Sequence, residues 1–262
     1  MYINNSIIWI TGASSGIGAA LAVELSKRGA RLILSARRLE ELEKVAKVCE
    51  SDSVRILTLD LAQSETFSEK AEEARSFFGR IDILINNGGI SQRALAAEAS
   101  LESLRRIMEV NFFGTTALTQ AVLPLMKAQK SGYIVVISSV MGKFGTKYRS
   151  GYAASKHALH GWFDCLRQEM YEHNIDVTLV CPGYVKTDIT VNSLTADGQK
   201  FGKMGDAQSK AMSPEQFANR LIPKLEKRNE EIYIGGKEVM AVYLKRWFPQ
   251  LLNKILKNTK VT

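Results

Sequence analysis

Tyr152 and Lys156 stand four residues apart in a stretch with helical patterning, so both lie on one face. A phenol and an ammonium placed this way can move a proton. A free tyrosine titrates near ~10 and is a poor base at neutral pH, but a lysine cation beside it favours the phenolate. Ser139 lies thirteen residues before Tyr152, just past the apolar run Tyr133–Ser138. A hydroxyl there can hydrogen-bond and orient the oxygen that exchanges the proton. Each residue also has an ordinary reading: Tyr-x3-Lys recurs on surface helices, Ser138-Ser139 suits a turn, and Asn111 suits a helix cap. Together, behind a nucleotide fingerprint, they make a site.

That fingerprint is Thr11-Gly12-Ala13-Ser14-Ser15-Gly16-Ile17-Gly18, which follows a short β-rich run and opens a helical pattern at Ile17, Leu21 and Leu25. Gly12 permits a tight turn, Gly16 lets backbone approach a pyrophosphate, and Gly18 lets the helix pack close to the sheet. The helix N-terminus then offers unpaired N–H groups to phosphate. An acid at the end of the second strand would bind the ribose 2′-hydroxyl of NAD. Here Ser35-Ala36 is followed by Arg37-Arg38. The missing carboxylate and the guanidinium fork of Arg37, helped by Ser14, favour NADP(H) over NAD(H). The competing reading has Arg37 and Arg38 merely starting a solvated helix paired with Glu40 and Glu41.

The elements that must position these residues alternate along the chain. Strands are expected at Ser6–Thr11, Arg31–Ser35, Val54–Leu59, Ile81–Ile85, Tyr133–Ser138, Ile175–Cys181 and Glu231–Ile234. Helices are expected from Leu39 to Cys49, Ser64 to Phe78, Leu101 to Met126, Tyr152 to His173 and Pro214 to Lys227. Strands that are apolar throughout and separated by helices imply a parallel sheet covered on both faces. The expected fold is α/β: a Rossmann-type, doubly wound, mostly parallel seven-stranded sheet flanked by helices, in a single domain over residues 1–262. With 262 residues and 45% hydrophobic composition, disorder and low complexity are excluded. No run of ~18 apolar residues could span a membrane. Cys49, Cys165 and Cys181 suit neither a disulfide framework nor a zinc cluster, which points to a reducing, cytoplasmic setting. The three histidines (His157, His160 and His173) lack a third ligand at metal spacing and read as surface or packing residues.

The chain resembles the short-chain dehydrogenase/reductase family, in its short subtype. The matching motifs are Thr11-Gly12-x3-Gly16-x-Gly18, Asp60, Asn86-Asn87-Gly88-Gly89, Asn111, Ser139, Tyr152-x3-Lys156 and Pro182-Gly183 with Thr187. They follow the family's order from about residue 6 to 188. Gly88 departs from the family's usual alanine, a change small enough for the backbone still to approach the cofactor. The resemblance implies an oxidoreductase that interconverts an alcohol and a carbonyl by hydride transfer. Tyr152 would be general acid/base, Ser139 would hold the carbonyl oxygen, and Lys156 would also bind the nicotinamide ribose. Asn111 would interrupt its helix and hold a water linking Lys156 to solvent. Asp60 would accept from the adenine amine with Leu61 beside the ring, and Asn87, Gly88 and Gly89 would line the adenine-ribose side. Ser15 and Ile17 belong to the phosphate turn, Arg38 to the 2′-phosphate corner, and Pro182, Gly183, Val185 and Thr187 to the nicotinamide pocket. Cys181 is expected to be a buried strand residue without redox role.

Substrate choice should lie in 190–212, a polar lid whose Lys200, Lys203 and Lys210 would suit an anion as well as solvent. The net charge of +8 is concentrated in 237–262, where six bases face one acid, Glu238. That distribution argues against a nucleic-acid partner, which would need a basic face on the main body. Met240, Tyr243, Leu244, Trp247, Leu251 and Ile255 form an apolar stripe in this basic amphipathic tail, which Pro249 would break or kink. The stripe could cover an apolar substrate mouth, pack on a second subunit, or lie on a membrane surface as a peripheral contact. Lid and tail (Thr195-Ala196-Asp197-Gly198 and Ala241-Val242-Tyr243-Leu244) are also similar to a lipid-linked subgroup, member seven-B-like. That likeness implies a lipophilic or anionic substrate of the acyl-dihydroxyacetone-phosphate type. In the resembled family the helix from Tyr152 pairs with its symmetry mate, which implies a homodimer or homotetramer. The competing functions are a cofactor-sensing regulator and a membrane-surface lipid-binding protein on the same fold.

Overall fold

The computed structural model describes residues 3–49, 53–203 and 211–259. β1 (Ile7–Thr11), α1 (Gly16–Ser26), β2 (Arg31–Ser35), α2 (Leu39–Val48) and β3 (Val54–Ile56) build the first half-sheet. α3 (Phe67–Phe78), β4 (Ile83–Asn86), α4 (Leu101–Met108), α5 (Gly114–Gln129) and β5 (Gly132–Ile137) follow. α6 (Ser150–Met170), β6 (Ile175–Pro182), α7 (Pro214–Glu226), β7 (Glu231–Ile234), α8 (Met240–Trp247) and α9 (Pro249–Asn258) complete the described elements. The seven strands form one sheet in the order β3-β2-β1-β4-β5-β6-β7. Every pairing is parallel, so the sheet expected to be mostly parallel is wholly so.

β1 explains why the strands are apolar without alternation. Ile8 and Ile10 enter a core with Leu21 and Leu25 of α1 and Phe217 and Leu221 of α7, while Ile7 and Trp9 enter another with α3, α5 and α6. Both faces are dry, and each residue therefore has to be hydrophobic. The polar exceptions are paired: Trp9 Nε1 donates to Ser35 Oγ at 2.8 Å, and Asp82 accepts from the Ile7 amide at 2.8 Å. The order reverses between β1 and β4, and an open parallel sheet has its ligand crevice at such a point, beyond the strand C-termini.

Several element boundaries differ from expectation, among them the start of β4 at Ile83 and the span of α6, Ser150–Met170. β3 ends at Ile56, although Leu57 and Leu59 still donate to Leu34 and Ala36 along the edge of the sheet. The helix expected from Leu101 to Met126 is interrupted by a π-turn at Glu109–Phe113, whose extra residue turns Asn111 into the interior. The tail breaks where Pro249 is expected to break or kink it, and Pro249 starts α9 with a new phase. On α6, Leu159, Phe163, Leu166 and Met170 are buried in the chain's own core, with Trp162 partly buried against it.

Candidate active site

Gly12 and Gly16 hold φ of 63° and 55°, values a side chain would strain, and a Cβ on Gly12 would lie 2.7 Å from Gly88 Cα. Gly18 packs where any side chain would meet the Gly12 carbonyl. The turn is tied to β4: Asn87 Nδ2 donates to the Thr11 and Gly12 carbonyls at 3.0 and 3.1 Å, and Thr11 Oγ1 accepts from the Asn87 and Gly88 amides. This turn forms one end of a groove of about 550 Å³. Ser14, Ser15, Gly16 and Ile17 line it at the start of α1, and Asp60, Leu61, Gly88 and Gly89 line its far side. Asp60 Oδ1 accepts from the Ala62 amide at 3.1 Å. Arg37 and Arg38 stand exposed at the same groove beyond Ser35 and Ala36, while Glu41 pairs with Lys44 at 2.8 Å instead of with either arginine. No acid replaces them at the end of β2. These residues fit a dinucleotide, with a phosphate-friendly corner at Arg37.

A second cavity, of about 360 Å³, holds Ser139, Tyr152 and Lys156. Pro182, Gly183 and Val185, just past β6, form part of its wall, and Ile17, Asn87, Gly89 and Thr187 are shared with the nucleotide groove. The two spaces therefore meet beside the Tyr152 and Lys156 side chains. Lys156 Nζ lies 5.8 Å from the Tyr152 ring centre and donates to the Ile137 carbonyl at 2.8 Å. Burial pulls its pKa down to about 8. Ser139 lines the same cavity as Tyr152 and favours its phenolate, and the Ser139 Oγ accepts from the Met141 amide at 3.1 Å.

The shift toward the phenolate is expected from Lys156 and an oxidised nicotinamide together; the protein's own groups, taken together, act the other way. Burial raises the Tyr152 pKa above 10, and Ser139 and the nearby Arg149 guanidinium pull it only part of the way back. Lys156 is half-tamed by its own desolvation, so within the protein's own field Tyr152 is held as an acid. Asn111 is also more committed than expected. Its Oδ1 accepts from the Ile90 amide at 2.8 Å, and its Nδ2 donates to the Ile90 carbonyl and to Ser155 Oγ. Ser155 Oγ in turn donates to the Tyr152 carbonyl at 2.8 Å. The side chain clamps α6 next to Lys156, with both N–H donors used and its oxygen keeping a second lone pair.

Other expectations shift as well. Lys200 lines the nucleotide groove, not the cavity around Tyr152; Lys203 is exposed, and Lys210 lies outside the described residues. The described part of 190–212 is stitched to the body, with Leu194 exchanging backbone bonds with Ser91 and Arg93. His160 is neither surface nor simple packing, because a third group does meet it. Its Nε2 faces Ser138 Oγ at 3.1 Å and Cys181 Sγ at 3.7 Å, and its Nδ1 faces Glu231 Oε1 at 3.2 Å. Glu231 also pairs with Lys143 and accepts from the Tyr233 hydroxyl at 2.6 Å. Although burial pushes its pKa up, hydrogen bonds from His160, Lys143 and Tyr233 bring it down to about 2. The Glu231 carboxylate is already paired with Lys143, while His160 Nδ1 has only the 3.2 Å approach to Glu231 and no other hydrogen-bond partner. Cys181 is buried on β6, and burial raises its thiol to about 12.

A family model described as short chain dehydrogenase matches residues 6–198. The chain belongs to the short-chain dehydrogenase/reductase family. This short-chain dehydrogenase/reductase is 38% identical to bovine "Dehydrogenase/reductase SDR family member 7B", over 97% of this chain and 81% of the relative. Among solved structures, it is similar to a short chain dehydrogenase from Burkholderia cenocepacia in complex with NADP. That match has TM-score 0.82 and 26% identity, covering 99% of this chain and 100% of the other. A short chain dehydrogenase/reductase from Burkholderia phymatum in complex with NAD superposes with TM-score 0.85 at 21% identity, covering 96% of each chain, and speaks for the fold alone. The chain is thus an oxidoreductase of a family that binds NAD(P). The sequence motifs point to the Ser139, Tyr152 and Lys156 side chains that line this cavity, and one reading of the tail has it cover an apolar mouth, as the cavity walls from α8 and α9 do; no motif singles out Arg149 or Glu231.

Proposed function

We propose that this oxidoreductase interconverts a carbonyl and an alcohol with NADP(H), with Tyr152 as general acid/base. The observation that carries this reading is the convergence of Ser139, Tyr152 and Lys156 on the cavity that opens into the glycine-lined groove. Bound nicotinamide supplies or accepts the hydride. In the reductive direction Ser139 holds the carbonyl oxygen, and Tyr152, kept protonated by its burial, gives that oxygen its proton. Lys156 binds the ribose and passes the next proton to Tyr152, on a helix that Asn111 holds in place through Ser155. Asp60, Leu61, Asn87, Gly88 and Gly89 receive the adenosine half, Thr187 reaches the nicotinamide side, and Arg37 with Arg38 and Ser14 receives the 2′-phosphate.

The cavity wall contributed by Leu244, Leu252 and Leu256 supports a lipophilic substrate. The outer face of the same helices supports a peripheral membrane contact: Trp247 is 72% and Phe248 62% exposed, beside exposed Lys245, Arg246 and Lys254. No described helix is long and apolar enough to cross a membrane, and this reading places the protein in the cytoplasm or on a membrane surface. Exposed Leu101 and Phe113 on the α4–α5 side support a homodimer or homotetramer. The test is a panel of ketones, aldehydes and alcohols assayed with NADPH, NADP+, NADH and NAD+ by nicotinamide absorbance. Turnover with at least one carbonyl, faster with NADPH, supports the reading; none with any pair overturns it.

A further inference from the structure

The cavity around Tyr152 is apolar along the C-terminal helices, yet it contains a cation that nothing in the described protein neutralises. Arg149 immediately precedes α6, three residues before Tyr152, and lines the same cavity while only 9% exposed. Its Nη1 donates to Ser91 Oγ at 2.5 Å and lies 3.5 Å from Ser193 Oγ, both neutral acceptors. Its Nε has no hydrogen-bond partner, and no carboxylate pairs with it among the described residues. The ionisable groups that face it are Tyr152, Tyr184 and a second cation, Arg93. Arg93 sits 5.3 Å over the Phe201 ring, and its own Nη1 is buried and unpaired.

A guanidinium does not shed its proton, so burial leaves it charged. A buried unpaired charge is expensive, and two neighbouring arginines make it more so. Serine hydroxyls solvate such a charge without cancelling it. The nucleotide does not cancel it either, because its phosphate turn and Arg37 lie in the other groove, which Arg149 does not line. The group that can is on the substrate.

We infer that Arg149 is the anion-recognition residue of the substrate pocket, and that the substrate carries a carboxylate or phosphate a few bonds from the reacting carbonyl. The inference rests on the oxidoreductase reading and narrows it. The planar fork binds either oxyanion through paired N–H groups, with Nε as one of the two donors. Residue 149 flanks the first turn of the helix that presents Tyr152, so the charged group and the carbonyl must be close together in the substrate. The opposite wall, formed by Phe144, Leu244, Leu252 and Leu256, takes the apolar remainder.

The experiment compares charged and neutral partners with NADPH. Long-chain 2-, 3-, 4- and 5-oxo carboxylates are set against their methyl esters, and a hydroxyketone phosphate against the free hydroxyketone. In the unaltered protein, kcat/KM for the anion should exceed that for its neutral partner by roughly 10- to 100-fold in one of the two sets, which also identifies the anion. In Arg149→Met that ratio should fall toward one, and Arg149→Lys should keep part of it. Equal kcat/KM for charged and neutral partners in the unaltered protein overturns the inference without touching the enzyme reading. So does a Met variant that slows both partners in proportion, which would make Arg149 a tuner of Tyr152. If no carbonyl of any kind turns over, the enzyme reading falls. Calorimetric binding of the same oxo acids and phosphate to the protein with NADP+ still decides on Arg149: binding in the unaltered protein that is lost in the Met variant supports it, and absence of binding overturns it.

Discussion

The Lys156 ammonium donates to the Ile137 carbonyl at 2.8 Å, so the end of β5 holds the amine that faces Tyr152. Two residues further along, the same strand end supplies Ser139. One short stretch of backbone therefore fixes the hydroxyl and the amine on either side of the phenol.

Removing only the phenolic oxygen should remove the chemistry. Tyr152→Phe is expected to cut kcat by about 10³-fold or more while NADPH affinity, read by fluorescence titration, changes only a few-fold. Retained turnover would refute the role given to Tyr152.

Lys156 makes stability depend on alkaline pH. Its pKa is about 8 in the folded protein and 10.5 as the ordinary value, so the unfolded chain binds more protons between those values. The unfolding free energy of the natural protein should therefore rise relative to Lys156→Met from pH 8 to 10.5, by at most about 3 kcal/mol. Denaturant titrations at several pH values measure it, and a parallel pair of curves would contradict it.

Glu231 gives the opposite dependence. With its pKa brought down to about 2, its contribution is present above 4.5 and is lost as pH falls toward 2. Glu231→Gln should cost about 1–3 kcal/mol at neutral pH, and the difference should vanish in acid. Thermal melts from pH 7 to pH 2.5 check this.

The cofactor corner is testable by charge reversal. Arg37→Asp should weaken NADPH by about 10- to 100-fold and leave NADH within a few-fold. Equal losses for both nucleotides would return the choice of cofactor to NAD(P).

The C-terminal helices make a surface prediction. The natural protein should sediment with vesicles containing anionic lipid, and Trp247→Glu with Phe248→Glu should abolish this while leaving the inward-facing Leu252 untouched. Equal sedimentation of the two proteins would remove the membrane contact.

Much of this was readable from sequence where the determinants are local. Gly12, Gly16 and Gly18 announce their turn by spacing, and Tyr152 and Lys156 share a face because a helix has a fixed pitch. Pro249 announces a break in the tail, but periodicity alone does not give the phase in which α9 restarts after it. In that phase Leu252 and Leu256 turn inward, Ile255 lines the cavity around Tyr152 while 45% exposed, and Leu251 stays outside. Arg149 with Ser91 and Ser193, and His160 with Glu231, are joined across long stretches of chain, and no local pattern encodes such pairs. The raised Tyr152 pKa follows from burial, which depends on packing that a motif does not describe.

β7 pairs with β6 at the margin of the sheet, and its first residue, Glu231, grips His160 and Lys143 beneath the catalytic strand end. On the ribosome, Ser139, Tyr152 and Lys156 emerge well before this buttress and before the leucines that wall the pocket. The pocket around Tyr152 is therefore walled only once β7 and the two helices after it have joined the fold.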